Sequence, residues 1–383
     1  MSKSYYSLGL MSGTSMDGVD ASVIQTDGKS KYKPILDKYF EYPKDIYKHL
    51  TKLRDKIKGS KDLKKFSKEI KNVEKKITLF HAKAISQILK KTKANIDFIG
   101  FHGQTIYHNG KEKLSKQIGD GKLLSKITKK TVIYDFRQND LKNGGEGAPL
   151  APIFHKLLAE KYNLAQRNTS PSTQATFVNI GGISNLTRIN SNYEINSWDC
   201  GPGMCLIDKW IRMNSKKKID RDGTIAKKGI IDHQILEKYI NQIDYFWGNK
   251  IINSFDINDF KIIKTSKMSL EDGSATLVEF SAKNILMQVC DLATERTNLI
   301  LCGGGRKNKF LVLRMKKLIK DFFNAEGHIN LIMIDDLGVD GDFVESQAFA
   351  YLAVRSFLKL PISFPETTGC KKPTTGGKII KFK

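Results

Sequence analysis

No apolar run in the sequence approaches the ~18 residues a helix needs to cross a bilayer, which excludes a helical membrane span. The first residues lack a basic stretch leading into a long apolar segment, so no secretory leader is expected and the cytoplasm is the default location. Cysteine is scarce. The five present, Cys200, Cys205, Cys290, Cys302 and Cys370, are an odd number and mostly scattered. Only Cys200 and Cys205 lie close together, with no histidine near them, so isolated thiols in a reducing compartment are expected rather than a disulfide framework or a zinc site. Arginine is scarce too, at ten of the 64 Lys and Arg residues. Base and phosphate recognition favours the planar arginine fork, and the lysines are spread along the whole chain with abundant Ile and Asn. The net charge of +24 therefore does not carry an expectation of specific nucleic-acid binding.

What is present begins at Leu8–Ile24. An apolar run enters a turn rich in Gly, Ser and Thr, and an alternating apolar run returns. This predicts a β-hairpin in which Gly13 and Gly18 let the backbone bend. Its N–H groups and the hydroxyls of Ser12, Thr14 and Ser15 would form an anion-binding nest, for which phosphate is a frequent guest. Asp17 and Asp20 would oppose a bare phosphate and make sense beside a bridging divalent metal. An ordinary polar hairpin would look the same in isolation.

A third strand is expected around Pro34–Tyr42. The steps Phe66, Ile70, Val73, Ile77, Phe80, Ala84 and Ile88 then define one stripe of a long amphipathic helix. That stripe would pack on the sheet of its own domain, although a seam between two copies, hence a homodimer, stays open. Ile96–Phe101 reads as a buried strand ending in His102-Gly103-Gln104-Thr105, and ligand contacts in α/β folds lie past strand ends. Thr131–Arg137 repeats the arrangement with Asp135 and Arg137. The glycine-rich Asn143–Gly147 leads through Pro149 into a helix and marks the expected boundary between a first domain, 1–148, and a second, 149–359. Residues 360–383 are expected to pack back onto the first.

The second half opens with its own hairpin, Thr176–Thr187, turning at Gly181-Gly182. Leu299–Cys302 is a buried strand running into Gly303-Gly304-Gly305, with a helix expected from about Asn308 to Ile319. One device at the head of each half is weak internal symmetry. Two α/β halves with phosphate turns facing a central cleft resemble the actin/hexokinase superfamily, in which such a triple glycine lets the backbone approach the adenosine of ATP. Asp199 follows a short strand and precedes Gly201-Pro202-Gly203, turn residues that favour exposing its carboxylate, as a general base or as an Asx-type turn. Glu345 lies near the start of a helix running to about Leu358, where a first-turn charge is favourable in any case.

The spaced stretches Gly9–Asp20, His102–Thr105, Gln117–Asp120, Asp135–Arg137, Gly144–Pro152, Asn179–Leu186, Asp199–Gly203, Cys302–Gly305, Gly341–Glu345 and Thr368-Gly369 together resemble the anhydro-N-acetylmuramic acid kinase family over nearly the whole chain. The resemblance implies the two-domain actin/hexokinase fold. It implies an ATP- and Mg²⁺-dependent enzyme that opens the 1,6-anhydro ring with water and phosphorylates the freed oxygen on carbon six, in cell-wall recycling. It places ATP at Gly13, Thr14, Ser15, Met16, Asp17, Gly18, Val19 and Asp20, with Gly181, Gly182, Gly303, Gly304 and Gly305, and a metal at Asp17. It makes Asp199 the catalytic base with Glu345 a second catalytic candidate, and gives His102, Gln104 and Arg137 to the sugar. Two departures stand out. Met204 follows Gly-Pro-Gly where the family usually has Asn, and Ile257 falls where members commonly carry Arg. They leave open a non-catalytic sugar- or nucleotide-binding member, or a kinase for another carbohydrate.

Overall fold

A computed structural model describes residues 3–13, 15–169, 171–248, 255, 257–263, 268–290, 295–321 and 328–382. Thr14, expected at the nucleotide turn, lies outside the described residues. The described strands, in chain order, are Tyr5–Ser12 (β1), Gly18–Thr26 (β2), Tyr32–Glu41 (β3), Phe98–Asn109 (β4), Leu114–Ile118 (β5), Thr131–Tyr134 (β6), Thr173–Ile180 (β7), Ile183–Ile189 (β8), Ile195–Pro202 (β9), Arg296–Cys302 (β10), Ile329–Met333 (β11) and Lys378–Ile380 (β12). The chain divides into two compact units, residues 1–161 with 342–383, and residues 162–341.

In the first unit, β1, β2 and β3 form an antiparallel meander, and β1 continues the sheet by pairing in parallel with β4, which pairs in parallel with β6. Successive side chains of β1 point to opposite faces. Leu8 and Leu10 join the core formed with the helix Ser67–Lys91, whose Ile70, Val73, Ile77, Ala84 and Ile88 are buried. The predicted apolar stripe is thus spent on the unit's own sheet. Gly9 faces the other way, onto the helix Val344–Phe357, where a Cβ would lie 1.9 Å from the Ser346 carbonyl oxygen. Gly100 on β4 is equally close to that helix, 2.3 Å from the Phe349 oxygen. The two glycines let helix and sheet backbones approach more closely than side chains allow.

The second unit repeats the plan. Strands β7, β8 and β9 form an antiparallel meander, and β7 pairs in parallel with β10, which pairs in parallel with β11. The helices Leu270–Cys290 and Lys309–Asp321 contribute Leu277, Phe280, Ile285, Leu311 and Met315 to its core.

Four features differ from the sequence reading. The division between units falls at 161/162 and 341/342 rather than 148/149 and 359/360, because residues 149–161 and the helix Val344–Phe357 bury their apolar residues in the first unit. His102–Thr105 lie inside β4, not beyond it: the strand changes partner at Gly103, φ +75°, and continues as an antiparallel pair with β5. Asp199 likewise lies within β9, opposite Asn185. Among the described residues of the first hairpin the one with positive φ is Met16, at +58°, not a glycine. Gly18 is instead needed for space, since a Cβ there would lie 2.5 Å from the Phe40 oxygen and from the Tyr39 ring.

Candidate active site

In the first unit the hairpin turn between β1 and β2 is fixed from β4. The Ser12 hydroxyl, with one proton to give, lies 2.7 Å from the Gly18 oxygen and 2.6 Å from Gln104 Oε1. Gln104 Nε2 donates to the Gly13 oxygen at 3.0 Å. The fully buried Gln104 therefore braces the turn, which accounts for its side chain without a sugar contact. Ser15 and Asp17 are exposed, and the Ser15 hydroxyl donates to Asp17 Oδ1 at 2.6 Å. Met16 and Val19 are buried in the core, so of these two only the backbone is available to a nucleotide.

His102, Arg137 and Glu345 come together in the same unit. Arg137 Nε and Nη2 lie 3.2 and 3.0 Å from His102 Nε2, and Arg137 Nη1 donates to the Gly147 oxygen at 2.8 Å. His102 Nδ1 is 2.9 Å from the Gly103 oxygen. These partners assign the proton to Nδ1 and leave Nε2 as the acceptor of the arginine. Burial first, and the Arg137 charge second, push the His102 pKa well below that of a free imidazole, in keeping with a neutral ring. Burial brings the Arg137 pKa down to about 10, with Glu345 the foremost opposing influence, so the cation persists at neutral pH. Glu345 is half-buried, and burial raises its pKa against the pull of Arg137. The cluster is a cation with one face held by a neutral histidine, beside a carboxyl group biased towards protonation.

Sequence reasoning missed the residue that shapes the loop under this cluster. Asp140, 1% exposed, accepts the Gly147 N–H at 2.7 Å and the Thr368 hydroxyl at 2.7 Å. A Cβ on Gly145 would lie 2.1 Å from Asp140 Oδ2, so the glycine-rich loop exists to wrap that carboxylate. The one signal available was the far-off Thr368-Gly369 pair, which the fold brings to Asp140.

In the second unit Asp199 Oδ2 accepts the Phe255 N–H at 2.8 Å. The turn Gly181-Gly182 is locked to Gly-Pro-Gly: the N–H groups of Gly203, Met204 and Cys205 donate to the Gly182, Gly181 and Gly182 oxygens at 3.0, 2.8 and 3.1 Å. A Cβ on Gly203 would strike the Gly181 oxygen at 2.5 Å. Both departures sit here. Met204 is partly buried against the core at the start of the helix Cys205–Asn214. Ile257 lies against the turn, its Cγ2 3.5 Å from where a Cβ of Gly182 would stand. Residues 253, 254 and 256 of that stretch lie outside the described residues.

The triple glycine after β10 uses its members differently. Gly303 has φ +77°, and a Cβ would lie 2.1 Å from Asn179 Oδ1. Gly305 is closed off by Ile180 at 2.2 Å, while Gly304 has open space around it. Arg306, which the sequence reading passed over, holds the turn: Nη1 donates to the Gly303 oxygen at 3.0 Å, and Nε and Nη2 grip Asp335 at 2.7 and 2.8 Å. This bidentate bond, first among its causes, lowers the Asp335 pKa. Among the described residues no group of three or more His, Cys, Asp or Glu could hold a metal ion, and no helix is long and apolar enough to cross a membrane.

Two α/β units, each opening on a three-stranded antiparallel meander with a polar or glycine turn, define an α/β protein of two similarly built halves. A solved glucokinase from Balamuthia mandrillaris in complex with glucose is similar at a TM-score of 0.37 and 10% identity, covering 92% of this chain and 94% of that one. The family model for anhydro-N-acetylmuramic acid kinase matches residues 5–381, and the chain belongs to that family. A Pelagibacter ubique protein named anhydro-N-acetylmuramic acid kinase is 49% identical over the full length of both chains. One of the same name from Agrobacterium fabrum is 38% identical, over 98% of each.

Proposed function

We propose that the protein is an ATP-dependent kinase that hydrolytically opens 1,6-anhydro-N-acetylmuramic acid and phosphorylates the carbon-six oxygen, giving N-acetylmuramic acid 6-phosphate in cell-wall recycling. The observation that carries this reading is the end-to-end match at 49% identity to a protein of that name. Asp199, held through one oxygen by Phe255, takes the proton of a water attacking the anomeric carbon, as the base of an inverting glycosidase does. The anomeric carbon's bond to the bridging oxygen breaks, and that oxygen, still on carbon six, takes the γ-phosphoryl group as ADP departs. No separate acid is then needed. The exposed Ser15 and Asp17 beside the braced turn suit an ATP phosphate tail, and Asp17 would hold Mg²⁺, whose charge screens the phosphate oxygens. Gly304, with open space around it, suits close approach of the adenosine. Arg137, fixed by His102 and Gly147, suits the sugar's lactyl carboxylate.

Incubating the purified protein with the anhydro-sugar, ATP and Mg²⁺ and following the product by mass spectrometry tests the reading. A sugar gaining both water and phosphate is expected, and an unchanged sugar in the presence of active ATP binding would refute it. Met204 and Ile257 at the Gly181-Gly182 turn favour, as a second reading, a member that binds without turnover, and the same experiment separates the two.

A further inference from the structure

We infer that the segment Thr375–Lys378 is a clasp that positions Arg137, through the left-handed turn at Asp135, for its role at the site. Asp135 follows β6 and adopts φ +61°, a conformation that costs an ordinary L-residue about 1–2 kcal/mol and that Asp tolerates better than most. The turn redirects the chain so that Arg137, two residues on, reaches His102 and Gly147 instead of continuing the strand. Such a conformation persists where the surroundings over-determine it.

Four contacts from one segment do so here. Asn139 Nδ2 donates to the Thr375 oxygen at 2.7 Å. Gly376 lies so close that a Cβ would stand 2.6 Å from the Phe136 oxygen and 2.3 Å from Ile362 Cδ1. Gly377, at φ +79°, would put a Cβ 2.6 Å from Ile133 Cγ2. Lys378 pairs with Tyr134 in the β6–β12 ladder and places Nζ 2.5 Å from Asp135 Oδ2. The clasp therefore touches the residues before, within and after the turn, while none of these four contacts involves Arg137 itself. Thr375–Lys378 are positioning residues. The effect on the sugar rests on the proposed role of Arg137.

The test compares Lys378→Met, Gly376→Ala and the double variant Lys378→Met with Asp135→Gly, measuring KM for the anhydro-sugar, KM for ATP, kcat and the ¹⁵N chemical shift of His102 Nε2. Lys378 is well exposed, so its loss should raise the sugar KM by about three- to fivefold while leaving kcat and the ATP KM within about twofold. Adding Asp135→Gly should return the sugar KM to within about twofold of wild type, because glycine takes a positive φ without support. Gly376→Ala should raise it by about tenfold or more, since the Phe136 carbonyl must move. The His102 Nε2 signal should shift in step with KM, as its accepted N–H is lost. A folded Lys378→Met protein with unchanged sugar KM and an unmoved His102 signal overturns the clasp, and so does failure of Asp135→Gly to rescue. If Gly376→Ala does not fold, the Lys378→Met pair decides alone. If Arg137→Ala leaves the sugar KM unchanged, the sugar assignment of Arg137 falls, and the His102 signal in Lys378→Met still decides the clasp.

Discussion

Replacing Asp199 by Asn separates the proposed base from the scaffold around it. Phe255 N–H donates to Asp199 Oδ2 at 2.8 Å, and the amide oxygen of asparagine can accept the same bond. The exchange of a charged acceptor for a neutral one costs about 1 kcal/mol of fold stability, so the variant should stay folded. What disappears is the proton acceptor, because an amide does not protonate near neutral pH. A positioned general base contributes about 10²–10⁴-fold, equivalent to about 2.7–5.4 kcal/mol of barrier. kcat should fall by that factor while the ATP affinity, read by calorimetric titration, holds. Ring opening frees the oxygen that accepts the phosphoryl group, so both changes should vanish together in the mass spectrum. Turnover within about tenfold of wild type would refute the assignment of the base. Accumulation of opened, unphosphorylated sugar would refute the coupling of the two steps.

Gly303→Ala must push against Asn179 Oδ1 at 2.1 Å and adopt φ +77°, so a lower melting temperature and an ATP KM raised by about tenfold are expected, checked by thermal melts and ATP titration. Gly304→Ala meets no atom within 4 Å and should leave the melting temperature alone, so a raised ATP KM in that variant would report nucleotide approach directly. Gln104→Ala removes the donor to Gly13 and the partner of Ser12, and should weaken ATP binding by about three- to tenfold with the sugar KM unchanged in steady-state kinetics. His81 and His155 are buried with pKa values lowered by desolvation from 6.5 to about 4 and about 3. The unfolded chain therefore takes up their protons first. Their contribution is complete above pH 6.5 and is lost as pH falls towards these values, at about 1.4 kcal/mol per pH unit for each histidine. His81→Phe, a ring for a ring beside Tyr42 and Phe101, should flatten the fall in denaturant midpoint between pH 6.5 and 4.5, and an unchanged slope would refute the linkage.

The hairpins and the long helix were legible because their signals are local: alternation, a polar turn, apolar steps of three and four. The strand Arg296–Cys302 running into the triple glycine was legible for the same reason. What escaped depends on residues far apart in the chain. Nothing near Gln104 announces that it braces Gly13, some ninety residues earlier. Gly18 reads as a turn glycine until β3 lays Tyr39 across it. The helix Val344–Phe357 follows the second unit in sequence, and only Gly9 and Gly100, each bare of a side chain on the face it covers, reveal that it belongs to the first. Arg306 was passed over because its bond to Asp335 needed β11 to be placed beside β10.

That helix has a consequence for how the protein comes into being. As the polypeptide leaves the ribosome, β1, β2 and β4 emerge hundreds of residues before the segment that must cover their second face. The second unit, contiguous from 162 to 341, holds its entire sequence before the first has its covering helix. Throughout that interval the nascent first unit lacks the helix that packs over Gly9 and Gly100, so one face of its sheet stays bare, which makes it the half more exposed to a holding chaperone and to misassembly when translation stalls.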